Sequence, residues 1–190
     1  QRFLGASRAM IHAVQYNMLF LAAIIPALVR PASGSAQSAA DGAAPVPWLI
    51  SDTAAHTVTL RLEVSRPAGA PSALINGQRA GGLQVIVPLN WTVTWEWRSL
   101  DSTTAHSLVV MAEREKLPAE GGHPVFDNAM TRMVAAGLPA GQGDQTTFLA
   151  DQPGWYWMLC GVPAHALDGE YIGLRVDPEA KEGAVRVVSR

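Results

Sequence analysis

The sequence predicts an all-β Greek-key β-sandwich preceded by a single N-terminal transmembrane helix. Three observations carry the prediction: a period-two alternation that begins at Thr57, a series of short apolar runs separated by turn dipeptides, and a run of 21 residues, 9–29, without formal charge. The first two describe half-buried strands, and the third is long enough to cross a bilayer.

At a helical rise of ~1.5 Å per residue, the run 9–29 covers roughly 30 Å, the thickness of a hydrocarbon core. Arg2 and Arg8 precede it and Arg30 follows. That bias places the N-terminus in the cytoplasm and everything after Arg30 on the periplasmic side of a bacterial inner membrane. A removed signal peptide is the competing reading, because Gly34-Ser35-Ala36 offers small residues after a basic start and an apolar run. A retained anchor is the expectation. His12, Gln15, Tyr16 and Asn17 are costly in lipid; they fit the headgroup layer or packing against other membrane subunits, and the second is expected. The chain then divides into an anchor (1–30), an Ala/Ser/Pro-rich linker (31–56), a β domain (57–176) and a tail (177–190) in which Val185, Val187 and Val188 can add an edge strand.

In residues 57–64, Val58, Leu60, Leu62 and Val64 alternate with Thr57, Thr59, Arg61 and Glu63. Alternation returns in 91–97, and apolar runs follow at 83–87, 106–110, 155–160 and 171–176. Asn76-Gly77, Gly81-Gly82, Pro153-Gly154 and Asp168-Gly169 punctuate them. Strands this short and this many, with no long amphipathic helix between them, favour a sandwich over an α/β fold. One short helix is expected at 127–136, where Met130, Met133 and Val134 have helical spacing between Asp127 and Gly137. The six tryptophans fall mostly on strands and are read as core packing. A 48% hydrophobic content suffices for a core, and 14 basic against 16 acidic residues without a Lys/Arg-rich run leave no footprint for nucleic acid.

Cys160 is the single cysteine, so it has no internal disulfide partner, and a thiol in an oxidising compartment needs metal ligation or burial to protect it. It closes the run 155–160, and Gly161-Val162-Pro163-Ala164 leads on to His165. A second imidazole is available from His106 at the start of another strand. One thiolate and two imidazoles form the trigonal donor set of blue-copper electron-transfer sites. His123 and His56 are read as exposed, and Met111 and Met158 as core, with Met158 held as a reserve axial ligand.

The segments Gly81-Gly82-Leu83-Gln84-Val85-Ile86-Val87-Pro88, Ala105-His106-Ser107-Leu108-Val109-Val110 and Cys160-Gly161-Val162-Pro163-Ala164-His165-Ala166 together resemble the sulfocyanin-like branch of the cupredoxin family. The resemblance covers most of residues 57–176. It implies a copper-binding electron carrier, often membrane-anchored, with His106, Cys160 and His165 as equatorial ligands. Two positions depart from the family pattern: Ala164 stands where glycine usually precedes the second histidine, and Glu170 where the axial methionine is usual. A carboxylate is harder than a thioether and favours Cu(II). Glu170 therefore either completes the metal set and lowers the potential or turns away. Loss of the metal, with Cys160 reduced to a small core residue, stays open beside copper retention.

Catalysis is not expected: multicopper enzymes need further histidines, a dinuclear copper centre needs two cysteines, and a cysteine hydrolase needs a differently placed base. Two functions remain. One is an accessory, scaffolding subunit of a photosynthetic or respiratory membrane complex, in contact with reaction-centre, antenna or cytochrome proteins. The other is a copper electron carrier tethered beside its redox partner. The expectation is the first, with electron transfer as an added capacity.

Overall fold

A computed structural model of the chain describes residues 46–114 and 116–188. The expected transmembrane helix at 1–30 lies outside the described residues. Among those described, no helix is long and apolar enough to cross a membrane.

Ten strands follow in order: β1 (Leu49–Asp52), β2 (Thr57–Ser65), β3 (Leu74–Ile75), β4 (Leu83–Pro88), β5 (Thr92–Ser99), β6 (Val109–Ala112), β7 (Gly143–Leu149), β8 (Gly154–Leu159), β9 (Tyr171–Asp177) and β10 (Ala184–Val187). They form two five-stranded sheets, one ordered β1-β2-β5-β7 with β3 paired to β2, the other β10-β4-β9-β8-β6. The chain passes repeatedly from one sheet to the other, which is why β2 and β5, and likewise β4 and β9, meet as parallel neighbours. The cupredoxin-type sandwich expected from the sequence is the architecture observed.

Alternation in β2 turns Val58, Leu60, Leu62 and Val64 fully inward, while Arg61 and Glu63 stay exposed. In parallel register Leu60 lies beside Trp95 and Leu62 beside Trp97 of β5. These face Val85, Val87, Met158, Ile172, Leu174 and Val176 of the other sheet across one core. An aromatic line crosses that core from Trp95 through Phe148 and Phe126 to Tyr156, with ring centroids 5.5, 5.3 and 4.9 Å apart. Trp91, Trp95, Trp97 and Trp157 are core residues as expected, but Trp155 is 51% exposed, its ring capped by the Arg175 guanidinium at 4.9 Å.

The helix expected at 127–136 is absent. Asn128 and Met133 adopt positive φ values of 65° and 55°, which interrupt a right-handed helix. The backbone there bonds instead to the segment before and within β6: Thr131 N–H donates to Leu108 O, Val110 N–H to Ala129 O, and His106 and Leu138 form an isolated bridge. Met130, Met133 and Val134 have helical spacing, but neighbouring strands supply the hydrogen-bond partners. For the same reason the strand expected at 106–110 begins only at Val109, His106 being committed to Leu138. The stretch read as linker (31–56) contains β1, whose four residues pair with β2. β3 and β7 were also not anticipated; β7 has one buried residue, Phe148, among exposed or half-exposed ones, too little apolar contrast for a periodic signal.

Leu62 is fully enclosed by both sheets, so Leu62→Ala is expected to cost about 3 kcal/mol through lost transfer energy and a residual cavity. Chemical denaturation of the domain measures it.

Candidate metal centre

β8 and β9 are antiparallel and end their ladder at Leu159 opposite Tyr171. Cys160 and Glu170 are the next residues on each side, and Cys160 N–H donates to Glu170 O at 3.0 Å, closing one more rung. His165 sits in the turn between them. The adjacent strand β6 aligns Val109 with Leu159, which carries His106 and Ser107 to the same end of the sheet. One ligating atom from each of His106, Cys160, His165 and Glu170 lies within 4.8 Å of all the others.

The His106 Nδ1 atom is 2.8 and 2.9 Å from the two Glu170 carboxylate oxygens. His165 Nδ1 is 3.2 Å from Glu170 Oε2 and 3.5 Å from Cys160 Sγ. The imidazole centroids are 5.0 Å apart. His106 and Cys160 are fully buried and Glu170 nearly so; the His165 side chain keeps 17% of its surface in solvent. Ser107 ties the walls together. Its N–H points at Cys160 Sγ (3.4 Å), its hydroxyl donates to Val134 O (2.7 Å), and the same oxygen accepts from Gly161 N–H (2.9 Å).

The loop is tightly packed. A Cβ at Gly161 would stand 2.2 Å from Val134 Cγ1, so only glycine lets the chain leave Cys160 in this direction. Ala164 has φ 69°, a left-handed conformation that costs a non-glycine residue roughly 1 kcal/mol. Its N–H donates to Ala119 O at 2.7 Å.

A family model described as the Sulfocyanin (SoxE) domain matches residues 46–181. The chain belongs to the sulfocyanin family. Among solved structures, this chain is similar to rusticyanin from Thiobacillus ferrooxidans, with 22% identity and a TM-score of 0.40 over 64% of this chain and 82% of that one. It is also similar to auracyanin from the photosynthetic bacterium Roseiflexus castenholzii, with 20% identity and a TM-score of 0.43 over 62% and 97% of the two chains. Among curated proteins, no relative matches.

The residues present fit the family's copper. Two Nδ1 atoms, one sulfur and a carboxylate converge in a space nearly closed to water, with the other nitrogen of His106 already engaged by Asp101 (2.9 Å) and Thr104 (3.0 Å). Two imidazoles and a thiolate suit copper, and the carboxylate is a fourth donor.

The four side chains shift one another's ionisation. Burial pushes the Cys160 thiol up to about 12, and the Glu170 charge adds to the rise. Burial opposes charge on His106, but the hydrogen bond and charge of Glu170, then those of Asp101, outweigh it and hold the ring above its ordinary value. Burial likewise opposes ionisation of Glu170, yet His106 and then His165 hold it below the usual carboxylate range.

All four predicted site residues meet. His56 instead stacks on Trp91 at 5.3 Å and is exposed, as is His123. Met158 lies in the inter-sheet core and Met111 against a smaller cluster that includes Trp157 and Tyr171. Asp101, Thr104 and Ser107 were missed. The visible signal was Asp101-Ser102-Thr103-Thr104, which reads as a polar turn; Asp101 does accept the Thr103 N–H at 2.7 Å, as a turn residue would.

The raised His106 contributes stability that is fully present below its ordinary 6.5 and is lost as pH rises through its folded value. The lowered Glu170 contributes stability present above 4.5 and lost as pH falls through its folded value. The metal-free domain is therefore expected to be most stable between those two values, and copper uptake, which displaces protons from Cys160 and His106, to strengthen with rising pH. Thermal denaturation of the metal-free protein across pH measures the first, and proton release on copper addition the second.

Proposed function

We propose that this protein is a one-electron carrier whose copper is held by His106, Cys160 and His165 with Glu170 as an anionic fourth ligand, and that residues 9–29 tether it to the periplasmic face of a bacterial inner membrane beside a redox partner. The observation that carries the reading is the buried Glu170 carboxylate, within hydrogen-bond distance of both ligand nitrogens. When bound, copper supplies a Cu(II)/Cu(I) couple; the protein supplies the geometry and the charge.

Cys160 and Glu170 together bring two negative charges, which balance a divalent ion and leave a monovalent one over-compensated. A carboxylate in this place favours the oxidised state over the reduced one, in contrast to a neutral thioether. His106 is locked inside and His165 reaches solvent, so with copper bound the exposed edge of His165 would be the shorter route for an electron to a partner. The donors are held by the last rung of β8 and β9, by Ser107 and by Asp101, which would keep reorganisation small at a bound metal.

A scaffolding subunit without a metal would have no use for an ionised carboxylate in this place. A carboxylate buried among the donors favours a working metal centre instead, with no catalytic role. The anchor and the inner-membrane location are supported by the uncharged run 9–29 with its flanking arginines; a tether of that kind places the domain beside membrane proteins, of which reaction-centre, antenna or cytochrome proteins are the proposed partners.

Copper-loaded protein is expected to show a thiolate-to-Cu(II) absorption band that Cys160→Ser abolishes. In Glu170→Met the midpoint potential is expected to rise; an unchanged potential and spectrum would count against coordination by Glu170. The full chain is expected to float with phospholipid vesicles in a density gradient, and a variant lacking residues 9–29 to stay behind; flotation of both disproves the tether.

A further inference from the structure

We propose that Asp101 is a positioning residue of the metal centre: its buried carboxylate, held by Arg66, fixes the His106 ring and biases the site toward the oxidised metal. The inference rests on the copper reading above and concerns residues beyond the ligand set.

His106 is fully buried, so its outward N–H needs an acceptor within the protein. Asp101 Oδ2 lies 2.9 Å from Nε2, and Thr104 Oγ1 3.0 Å. A carboxylate accepts and cannot donate when ionised, so it keeps the proton on Nε2. Once the proton that Nδ1 shares with Glu170 has left, the ring's lone pair is on Nδ1, the atom that faces Cys160, His165 and Glu170. Asp101 thereby selects the tautomer the metal requires.

Asp101 is itself held by several donors. Thr103 donates to it from the backbone at 2.7 Å, Thr104 from its hydroxyl at 3.3 Å, and Arg66 Nε at 2.9 Å. The last contact follows from topology. β2 and β5 run parallel with Val64 beside Ser99, so the residues two positions further on, Arg66 and Asp101, leave the same sheet end side by side. One sheet thus supplies the carboxylate and its guanidinium, and the other supplies Cys160 and Glu170, with the His106 ring spanning the gap between Asp101 and Glu170.

A carboxylate behind a ligating imidazole makes the ring a stronger donor and favours the more highly charged metal, while Arg66 offsets part of that charge. Removing the carboxylate charge and removing its counter-charge must therefore shift the metal's preference in opposite directions.

The test uses the copper-loaded full chain with Asp101→Asn and, separately, Arg66→Gln, read by reduction potential and by Cu(II) and Cu(I) affinities against competing chelators. Asp101→Asn is expected to weaken Cu(II) binding about 10–100-fold and Cu(I) binding less, raising the potential by about 59 mV for each factor of ten between them. Arg66→Gln, at a side chain 27% exposed, is expected to lower it. Simple loosening of the loop would move both variants the same way. Shifts of one sign in both, or no shift in Asp101→Asn, overturn the inference while leaving the copper reading intact; an unsubstituted chain that takes up no copper overturns both. Should Asp101→Asn not fold, an upward or null shift in Arg66→Gln overturns it alone.

Discussion

The Glu170 carboxylate and the Cys160 sulfur occupy one buried space, and two anions cannot share it without positive charge close by. Everything at this end of the sandwich answers that constraint. In the metal-free cage the answer is protons: the thiol stays neutral, pushed up to about 12, and His106 lies between Glu170 and Asp101, each within 3 Å of one ring nitrogen. A divalent ion at the same place would balance those two anions.

The walls hold because the strand ladders run to the edge of the site. Cys160 and Glu170 are joined by their own backbone hydrogen bond, one rung past the end of β8 and β9. Ser107 links the His106 segment, Gly161 and Val134 through a single hydroxyl. Gly161 N–H is thereby fixed, and its missing Cβ leaves room for Val134. Ala164 keeps a left-handed conformation in the middle of this loop, a local strain that neighbouring contacts, such as its bond to Ala119 O, offset. Below the loop, the apolar core of β2, β5, β8 and β9 makes the frame rigid, so placing four donors within a few ångströms costs little further ordering.

The two imidazoles are not equivalent. His106 is sealed inside, backed by a carboxylate and a guanidinium drawn from the opposite sheet. His165 has solvent on one side and only the short loop around it. The inner ring is thus fixed by its neighbours, and the outer one has an edge open to solvent.

Local patterning was enough to determine the all-β class, the strands β2, β4, β5, β8 and β9, and the trio His106, Cys160 and His165. Alternation along a buried strand leaves a period of two in the residues themselves, and a single cysteine followed five residues later by a histidine marks a place where sulfur and imidazole can converge, with metal retention and metal loss both left open by the sequence. Glu170 was legible as a change at the axial place. Whether it pointed inward was decided by the final rung of β8 and β9. Tertiary structure alone decided that 127–136 is not helical, because backbone groups of 106–110 took its hydrogen bonds despite the helical spacing of its methionines. It alone brought Arg66 to Asp101, 35 residues on, through the parallel pairing of β2 with β5. Periodicity is written by neighbours in sequence, whereas the partner of a buried charge is set by which strand ends meet.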